Sequence, residues 1–453
     1  MTTEAPGREA EHDAARPRRA VADPAASASD PAGATRQAKA RVYRRRRIVV
    51  FGALAIILAL LVSGGVYVGR ALGAPIPAAA PVVTAPQPVA QAAQQLELPG
   101  FGGYAVGAVG FDGLLATGSA DAALPTASIT KIITALVVLD EHPVAAGESG
   151  PELAYTEADV ELYWDMIAQN GSVAPVEPGI SLSLVQSLEA MLLPSGNNYA
   201  ISISNWAFGS QQAFLDRART WLADHGFQHT VIADSSGLSL DNTSTPAELV
   251  RLGELALENP VVAAIVATQE VELPSLGPIE NSNKLLGTHG VDGIKTGTTD
   301  DAANLLFSAD VQVGEESVTI VGVLLDAPDH ASLRQAVAAL LDSVAPGFRE
   351  VTVFDEGADL ASYATPWGQT AHAEASEAAR LVVWSDTPVA VEVDAAAVTT
   401  ADDGSEVGNA TVTAGTRTIV VPLRLDASLE DPGAWWRLGN PGALDAPAVA
   451  GRG

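Results

Sequence analysis

The 453-residue sequence contains no cysteine and is poor in lysine and in aromatic residues. Without cysteine it can have no disulfide bond, thiol nucleophile or thiolate metal site. Only four of its 25 basic residues are lysines, namely Lys39, Lys131, Lys284 and Lys295. A buried lysine can lose its proton, whereas arginine stays charged in proteins, so each lysine is a candidate for a position that needs a neutral amine.

Positive charge is also scarce outside the N-terminal segment. Residues 1–70 hold 12 of the 25 basic residues and 6 of the 54 acidic ones, which leaves 13 basic against 48 acidic residues for the remainder. Nucleic acid is therefore excluded as a partner of the long acidic part, because phosphate binding needs clustered cations.

The change of charge coincides with a membrane signal. Four arginines, at 44–47, precede residues 48–69, which carry no charged side chain. About 20 apolar residues span a bilayer as a helix, and flanking arginines stay in the cytoplasm. We therefore expect a single-pass cell-membrane protein with a cytoplasmic N-terminus and an extracytoplasmic remainder. A cleavable signal peptide is the alternative, with small residues suited to cleavage in "APIPAAA" at 74–80.

Composition divides the rest of the chain. We predict a disordered cytoplasmic tail at 1–40, a transmembrane anchor at 41–70, a Pro/Ala-rich linker at 71–97, a mixed domain at 98–345 and a β-rich domain at 349–453. In the mixed domain, short strands near 103–125 and apolar strand-like runs after 293 flank a helical centre. This order favours an α+β sandwich whose antiparallel sheet is built from both ends of the domain.

One helix of the mixed domain has an unexpected lysine. In "ASITKIITALVVLD" at 127–140, Lys131 lies among apolar residues that leave almost no polar face. Ser128 and Lys131 are three residues apart, so their side chains can meet on one helical face. A neutral amine there could take the proton of the serine hydroxyl. The alternative is that Ser128 caps the helix and Lys131 extends to water.

Two further motifs follow in the chain. "PSGNN" places Ser195 and Asn197 at a break between two predicted helices, where side chains can project into a cleft. "IKTGTT" places Lys295, Thr296, Gly297 and Thr298 on a predicted strand, in which glycine allows close approach of another backbone or a ligand. Taken alone, each could be an ordinary turn or a decorated edge strand.

In this order, S-x-x-K, S-x-N and K-T-G resemble the signature of penicillin-binding proteins and serine β-lactamases. With "DSSGLS" (234–239) and "VDGIKTGTTDDA" (291–302), the sequence most resembles the low-molecular-mass D-alanyl-D-alanine carboxypeptidases. The resemblance spans roughly residues 100–344 and implies a β-lactamase/penicillin-binding-like α/β sandwich. "TIVVPLRL" and "WWRLGNP" resemble, more weakly, the β-rich domain that often follows in such enzymes.

The resemblance implies a role for each motif residue. Ser128 would be the nucleophile, Lys131 its base, Ser195 a proton relay to the leaving amine, and Asn197 a ligand of the peptide backbone and of Lys131. Lys295 would supply positive charge, and Thr296 and Thr298 would bind the terminal carboxylate beside Gly297. The implied substrate is a peptidoglycan stem peptide ending in D-Ala-D-Ala, with β-lactams as inhibitors and without metal or cofactor.

Two other functions compete with this hypothesis. One is a β-lactamase, which would need fast deacylation, although the sequence contains no convincing extra carboxylate motif for that step. The other is a catalytically weak wall-binding or scaffolding protein that acts through the β-rich domain. Among remaining residues, Lys284 is the nearest extra cation for a carboxylate but is expected at the surface. His225 and His229 lack a third metal ligand.

Overall fold

The computed structural model describes residues 31–87, 91–119 and 121–444. Residues 1–30, and with them most of the predicted cytoplasmic tail, lie outside this part. The described chain divides into two compact units. Residues 31–75 with 432–444 form one, and residues 76–431 form the other.

The bounds of the helices are as follows: α1 Pro31–Gly73, α2 Thr130–Glu141, α3 Glu157–Ala168, α4 Leu184–Leu192, α5 Asn197–Phe208, α6 Gln211–Asp224, α7 Pro246–Glu258, α8 Pro260–Ala267, α9 His330–Val344, α10 Gly433–Gly439 and α11 Pro441–Leu444. Short 3-10 turns cover Ala127–Ile129 and Ala345–Gly347.

The strands are β1 Pro81–Val83, β2 Gly103–Ala108, β3 Ala116–Gly118, β4 Leu124–Pro125, β5 Glu152–Ala154, β6 Ser181–Ser183, β7 Thr243–Ser244, β8 Glu270–Leu273, β9 Gly277–Glu280, β10 Val291–Thr298, β11 Ala303–Val313, β12 Glu316–Ala327, β13 Phe348–Phe354, β14 Asp359–Ala364, β15 Thr370–Ala375, β16 Ala379–Trp384, β17 Val389–Ala395, β18 Glu406–Ala414 and β19 Arg417–Leu425.

In the first unit, α1 is long and apolar enough over residues 41–73 to cross a membrane. Its C-terminal end contacts the short C-terminal helix α10. The Tyr67 hydroxyl donates to the carbonyl of Leu438 at 2.5 Å, and the Arg437 guanidinium donates to the carbonyls of Leu72 and Ala74. The C-terminal end of α1 and the C-terminal helix α10 therefore meet in this unit.

A five-stranded antiparallel sheet organises residues 98–345. Its strand order is β10-β11-β12-β2-β3, so both ends of the segment contribute to it, which confirms the predicted α+β arrangement. Alternate residues face opposite sides of the sheet. Leu306 packs in the large core formed with α2 and α4–α8, whereas Leu305 and Phe307 pack in a second core formed with α9. The sheet thus lies between two helical layers.

The β-rich C-terminal module is confirmed as well. A six-stranded sheet, β1-β14-β15-β19-β18-β17, and the β13-β16 pair enclose a core of small and aliphatic side chains. The strand β1 is a finding that the sequence did not predict, because the Pro/Ala-rich segment was expected to act only as a spacer. Val82 of β1 pairs with Ser362 of β14, and Ala79 pairs with Val398.

Candidate active site

The S-x-x-K motif begins the site. Ser128 lies in the 3-10 turn that leads into α2, and Lys131 follows in the first turn of the helix. Ala127, directly before the serine, has a positive φ of 46°, a conformation that non-glycine residues seldom adopt. The Nζ atom of Lys131 lies 2.9 Å from the Oγ atom of Ser128. Lys131 has no exposed surface, so it does not extend to solvent.

The Lys131 amine also makes hydrogen bonds with two oxygen atoms outside Ser128. Its Nζ atom donates to Asn197 Oδ1 and to the backbone carbonyl of Ser236, each at 2.6 Å. Asn197 is the first residue of α5, directly after the "PSG" break. The pKa of Lys131 is held well below its ordinary value, chiefly because burial disfavours the charged form and secondly because Lys295 is near, while Asp234 opposes the change.

The K-T-G motif forms the end of β10, beside the turn that carries Ser128. Lys295 is 2 % exposed, and burial lowers its pKa to about 7. A Cβ atom on Gly297 would lie 2.9 Å from the carbonyl oxygen of Thr126, closer than side chains normally come. Glycine is therefore needed for the strand to approach the serine-bearing turn, as the sequence indicated. The Thr296 hydroxyl contacts the Ser282 hydroxyl at 2.6 Å.

Ser195 occupies a strained and polar position. Its φ is 66°, in the left-handed region, and the residue is buried. Within the described part of the chain, the Oγ atom of Ser195 has no hydrogen-bond partner. A buried hydroxyl without a partner is costly, by about 1–3 kcal/mol, and marks a site where a ligand can supply the missing bond.

Two adjoining cavities meet at Ser128 and Thr298. The first, about 260 Å³, is lined by Ser128 and Ser195 together with Thr296, Thr298, His330 and Arg334. The second, about 390 Å³, is lined by Ser128, Asn197 and Thr298 together with residues 169–172, 237–238, 240 and 299–301. Ser128 thus borders both cavities.

Two contributions to the site, from α9 and from the Ser236 backbone, were not predicted from the sequence. His330 and Arg334 enter the first cavity from α9, and His330 Nε2 lies 2.9 Å from Thr298 Oγ1. Ser236 contributes a backbone carbonyl, which no side-chain pattern could reveal. Lys284 lies at the surface, as expected: its side chain is 59 % exposed and pairs with Glu280 at 3.0 Å.

The two histidines considered as metal ligands have other partners. His225 Nδ1 donates to the carbonyl of Trp221, and His229 contacts Glu248 at 3.1 Å. Among the described residues, no group of three or more His, Cys, Asp or Glu side chains could hold a metal ion.

The fold and the three converging motifs define a protein of the penicillin-binding and serine β-lactamase class. Within this class, residues 112–329 match the Peptidase S11 family, described as D-alanyl-D-alanine carboxypeptidase. The chain is 30 % identical over 212 residues to D-alanyl-D-alanine carboxypeptidase DacB2 of Mycobacterium tuberculosis, a match that covers 45 % of this chain and 68 % of that protein. The chain belongs to this family of serine peptidases.

Other relatives agree in family and differ in named activity. D-alanyl-D-alanine carboxypeptidase DacC of Escherichia coli is 29 % identical over 201 residues, covering 43 % of this chain, and the chain spans only 50 % of its length. A D-alanyl-D-alanine endopeptidase of Haemophilus influenzae is 29 % identical over 200 residues, with 43 % of this chain and 65 % of that protein covered.

Solved structures support the fold. The crystal structure of a peptidoglycan synthesis regulatory factor (PBP3) from Streptococcus pneumoniae superposes with a TM-score of 0.53 at 19 % identity, covering 75 % of this chain and 100 % of the other. Penicillin binding protein 5 from Haemophilus influenzae gives 0.51 at 18 % identity, covering 77 % and 100 %. The alignment to each includes more of this chain than the family match does.

Proposed function

We propose that this protein is a serine-type D-alanyl-D-alanine carboxypeptidase that removes the terminal D-alanine from peptidoglycan stem peptides and is acylated by penicillin. The observation that carries this proposal is the environment of Lys131. A neutral amine has two N–H donors and one lone pair, whereas an ammonium has three donors. Two acceptors, Asn197 Oδ1 and the Ser236 carbonyl, take the two donors, which leaves the lone pair for Ser128.

In the first step, the Lys131 amine would accept the proton of Ser128, and the serine oxygen would attack the carbonyl between the two D-alanines. The 2.9 Å separation of Nζ and Oγ is within hydrogen-bond reach, as general-base catalysis requires. The backbone N–H groups of Ser128 and Thr298 would stabilise the oxyanion, a contribution of about 3 kcal/mol per donor in comparable acyl transfers.

The departing amine needs a proton. Ser195 suits this role, because the residue lines the same cavity as Ser128 and its buried Oγ has no partner among the described residues. It would pass the proton from Lys131 to the leaving D-alanine. Water would then release the acyl group from Ser128 and complete the hydrolysis.

The terminal carboxylate of the substrate would bind in the first cavity. Thr296 and Thr298 offer hydroxyls there, and the Arg334 guanidinium adds a fixed positive charge. Lys295 would add to the positive field from its buried position. Its Nζ atom lies 3.4 Å from the Oγ1 atom of Thr296. The second cavity would hold the acyl part of the peptide, near Asn197.

We also propose that α1 anchors the protein as a single-pass cell-membrane protein, with a cytoplasmic N-terminus and an extracytoplasmic catalytic domain. The helix is long and apolar over residues 41–73, and the arginines at 44–47 favour the cytoplasmic side. Partition of the chain into membranes, and its resistance to extraction by alkaline carbonate, test the anchor separately from the chemistry.

Labelled penicillin tests the chemistry. The purified chain should be labelled covalently, S128A should not be labelled, and S362A, which changes a serine of β14 in the β-rich module, should behave as wild type. Labelling of S128A at the wild-type rate would remove Ser128 from the mechanism. Rapid turnover of the drug would instead favour a β-lactamase, and cleavage of cross-linked peptides without release of D-alanine would favour an endopeptidase.

A further inference from the structure

A single half-buried carboxylate, that of Asp234, organises the loop of residues 234–239. Asp234 Oδ1 accepts hydrogen bonds from the N–H groups of Ser236 and Gly237, at 2.7 and 2.6 Å, and from the Ser236 hydroxyl at 2.8 Å. Its Oδ2 accepts from the N–H of Ser239 at 2.7 Å and from the Asn242 side chain at 2.9 Å. Burial opposes ionisation of Asp234, yet these hydrogen bonds outweigh it and leave the pKa below its usual value.

The loop that Asp234 holds in place contacts Lys131 and the residue directly before Ser128. The Ser236 carbonyl accepts from Lys131 Nζ at 2.6 Å. Gly237 packs against the residue before the nucleophile, because a Cβ atom there would lie 1.9 Å from the carbonyl oxygen of Ala127. Through this loop, the Asp234 carboxylate therefore positions the Ser236 carbonyl against the Lys131 amine and positions Gly237 against the backbone of Ala127.

We propose that Asp234 is a positioning residue for the acylation step, which holds the Ser236 carbonyl against the Lys131 amine and thereby directs the amine lone pair at Ser128. This inference rests on the proposed role of Lys131 as the base. Without the carboxylate, the N–H groups at 236, 237 and 239 lose their common acceptor. The Ser236 carbonyl is then free to turn away from the amine.

The charge of Asp234 acts on the same amine. Two charged groups affect Lys131 through space: Lys295, from β10, lowers its pKa, and Asp234, from the 234–239 loop, raises it. Removal of the negative charge lowers the pKa of Lys131 further. The acidic limb of the pH–rate profile, where the acylation rate falls because Lys131 is protonated, therefore moves to lower pH. A residue that only stabilised the fold would reduce the amount of active protein without moving this limb.

The test compares D234N with D241N, a matched change at an exposed residue of the same region. The second-order rate of acylation by a fluorescent penicillin is measured on the full chain against pH, and is normalised to the number of penicillin-titratable sites. For D234N we expect the plateau rate to fall by about tenfold or more, as when a hydrogen bond to a charged group is lost. The acidic limb should move to lower pH. D241N should match wild type in both respects.

A plateau and acidic limb equal to those of wild type would overturn the inference, and so would a lower plateau with an unmoved limb in D234N. If D234N yields no titratable sites, D234E decides. This variant keeps the negative charge but displaces the carboxylate oxygens. The plateau acylation rate should therefore fall while the acidic limb stays at the wild-type pH. A plateau rate equal to that of wild type would refute the positioning role. A wild-type chain that penicillin does not label at all would refute the proposed function instead.

Discussion

Replacement of Lys295 by methionine should stabilise the protein while it abolishes activity. The buried side chain loses its proton with a pKa of about 7 instead of the ordinary 10.5. Converted at ~1.4 kcal/mol for each pH unit, this difference corresponds to about 4–5 kcal/mol of unfolding free energy that the fold gives up at pH 7. Methionine is uncharged and similar in length, and its imperfect fit costs up to about 1.5 kcal/mol. We therefore expect K295M to be more stable by about 3 kcal/mol at pH 7.

The sign of the pH dependence follows from the same pKa. Between about pH 7 and pH 10.5 the unfolded chain keeps the proton of Lys295 and the folded chain does not, so the unfolded state binds more protons. Wild-type stability therefore rises with pH across this window. The protonation contribution to the advantage of K295M should be full at and below pH 7 and should shrink toward zero at about pH 10.5, where only the cost of the imperfect fit of methionine is left.

Urea unfolding curves of the purified chain, followed by tryptophan fluorescence near pH 7 and pH 10, measure this difference. The matched control is K284M, because Lys284 is 59 % exposed and paired at the surface. Its stability should stay within about 0.5 kcal/mol of wild type at both pH values. A K295M protein less stable than wild type at pH 7, or a difference that does not change with pH, would refute the reasoning.

Three further predictions concern the cavity and its surroundings. S195A removes a buried hydroxyl without a partner among the described residues, so stability should stay equal or rise by about 1 kcal/mol while penicillin labelling slows at least ~100-fold; labelling at the wild-type rate would exclude a relay role. G237A places a methyl group against the Ala127 carbonyl at a residue with φ +80°. In urea unfolding, it should lower the free energy of unfolding by more than about 2 kcal/mol relative to G277A, which has the same φ in open space. Equal effects of the two changes would show that the contact is unimportant. R334Q should raise KM for a D-Ala-D-Ala peptide with little change in kcat, as expected for lost binding of the carboxylate; a fall in kcat alone would contradict that assignment.

The sequence predicted those parts of the site that are local. Ser128 and Lys131 are three residues apart, so helix geometry alone brings them together. Gly297 was expected to permit close approach of another backbone, and the short distance from its position to the Thr126 carbonyl bears this out. The apolar strand-like runs after residue 293 likewise predicted neighbouring strands, and the structure forms β11 and β12 there.

Other parts depend on tertiary contacts that no local pattern contains. Arg334 and His330 reach the cavity only because α9 packs beside the end of β10, and their spacing resembles that of any surface helix. The Ser236 carbonyl is a backbone group, and its position depends on the carboxylate of Asp234 two residues earlier. The pairing of β1 with β14 depends on a neighbour almost 300 residues away, and the Pro/Ala-rich composition of its segment favoured a spacer.

The release of D-alanine from a peptide ending in D-Ala-D-Ala, followed by mass, tests the central claim that a neutral Lys131 takes the proton of Ser128. Wild type should release one D-alanine per peptide, whereas K131R should release none above background, because arginine cannot lose its proton in proteins. K284R should match wild type. Release by K131R at the wild-type rate would contradict the account.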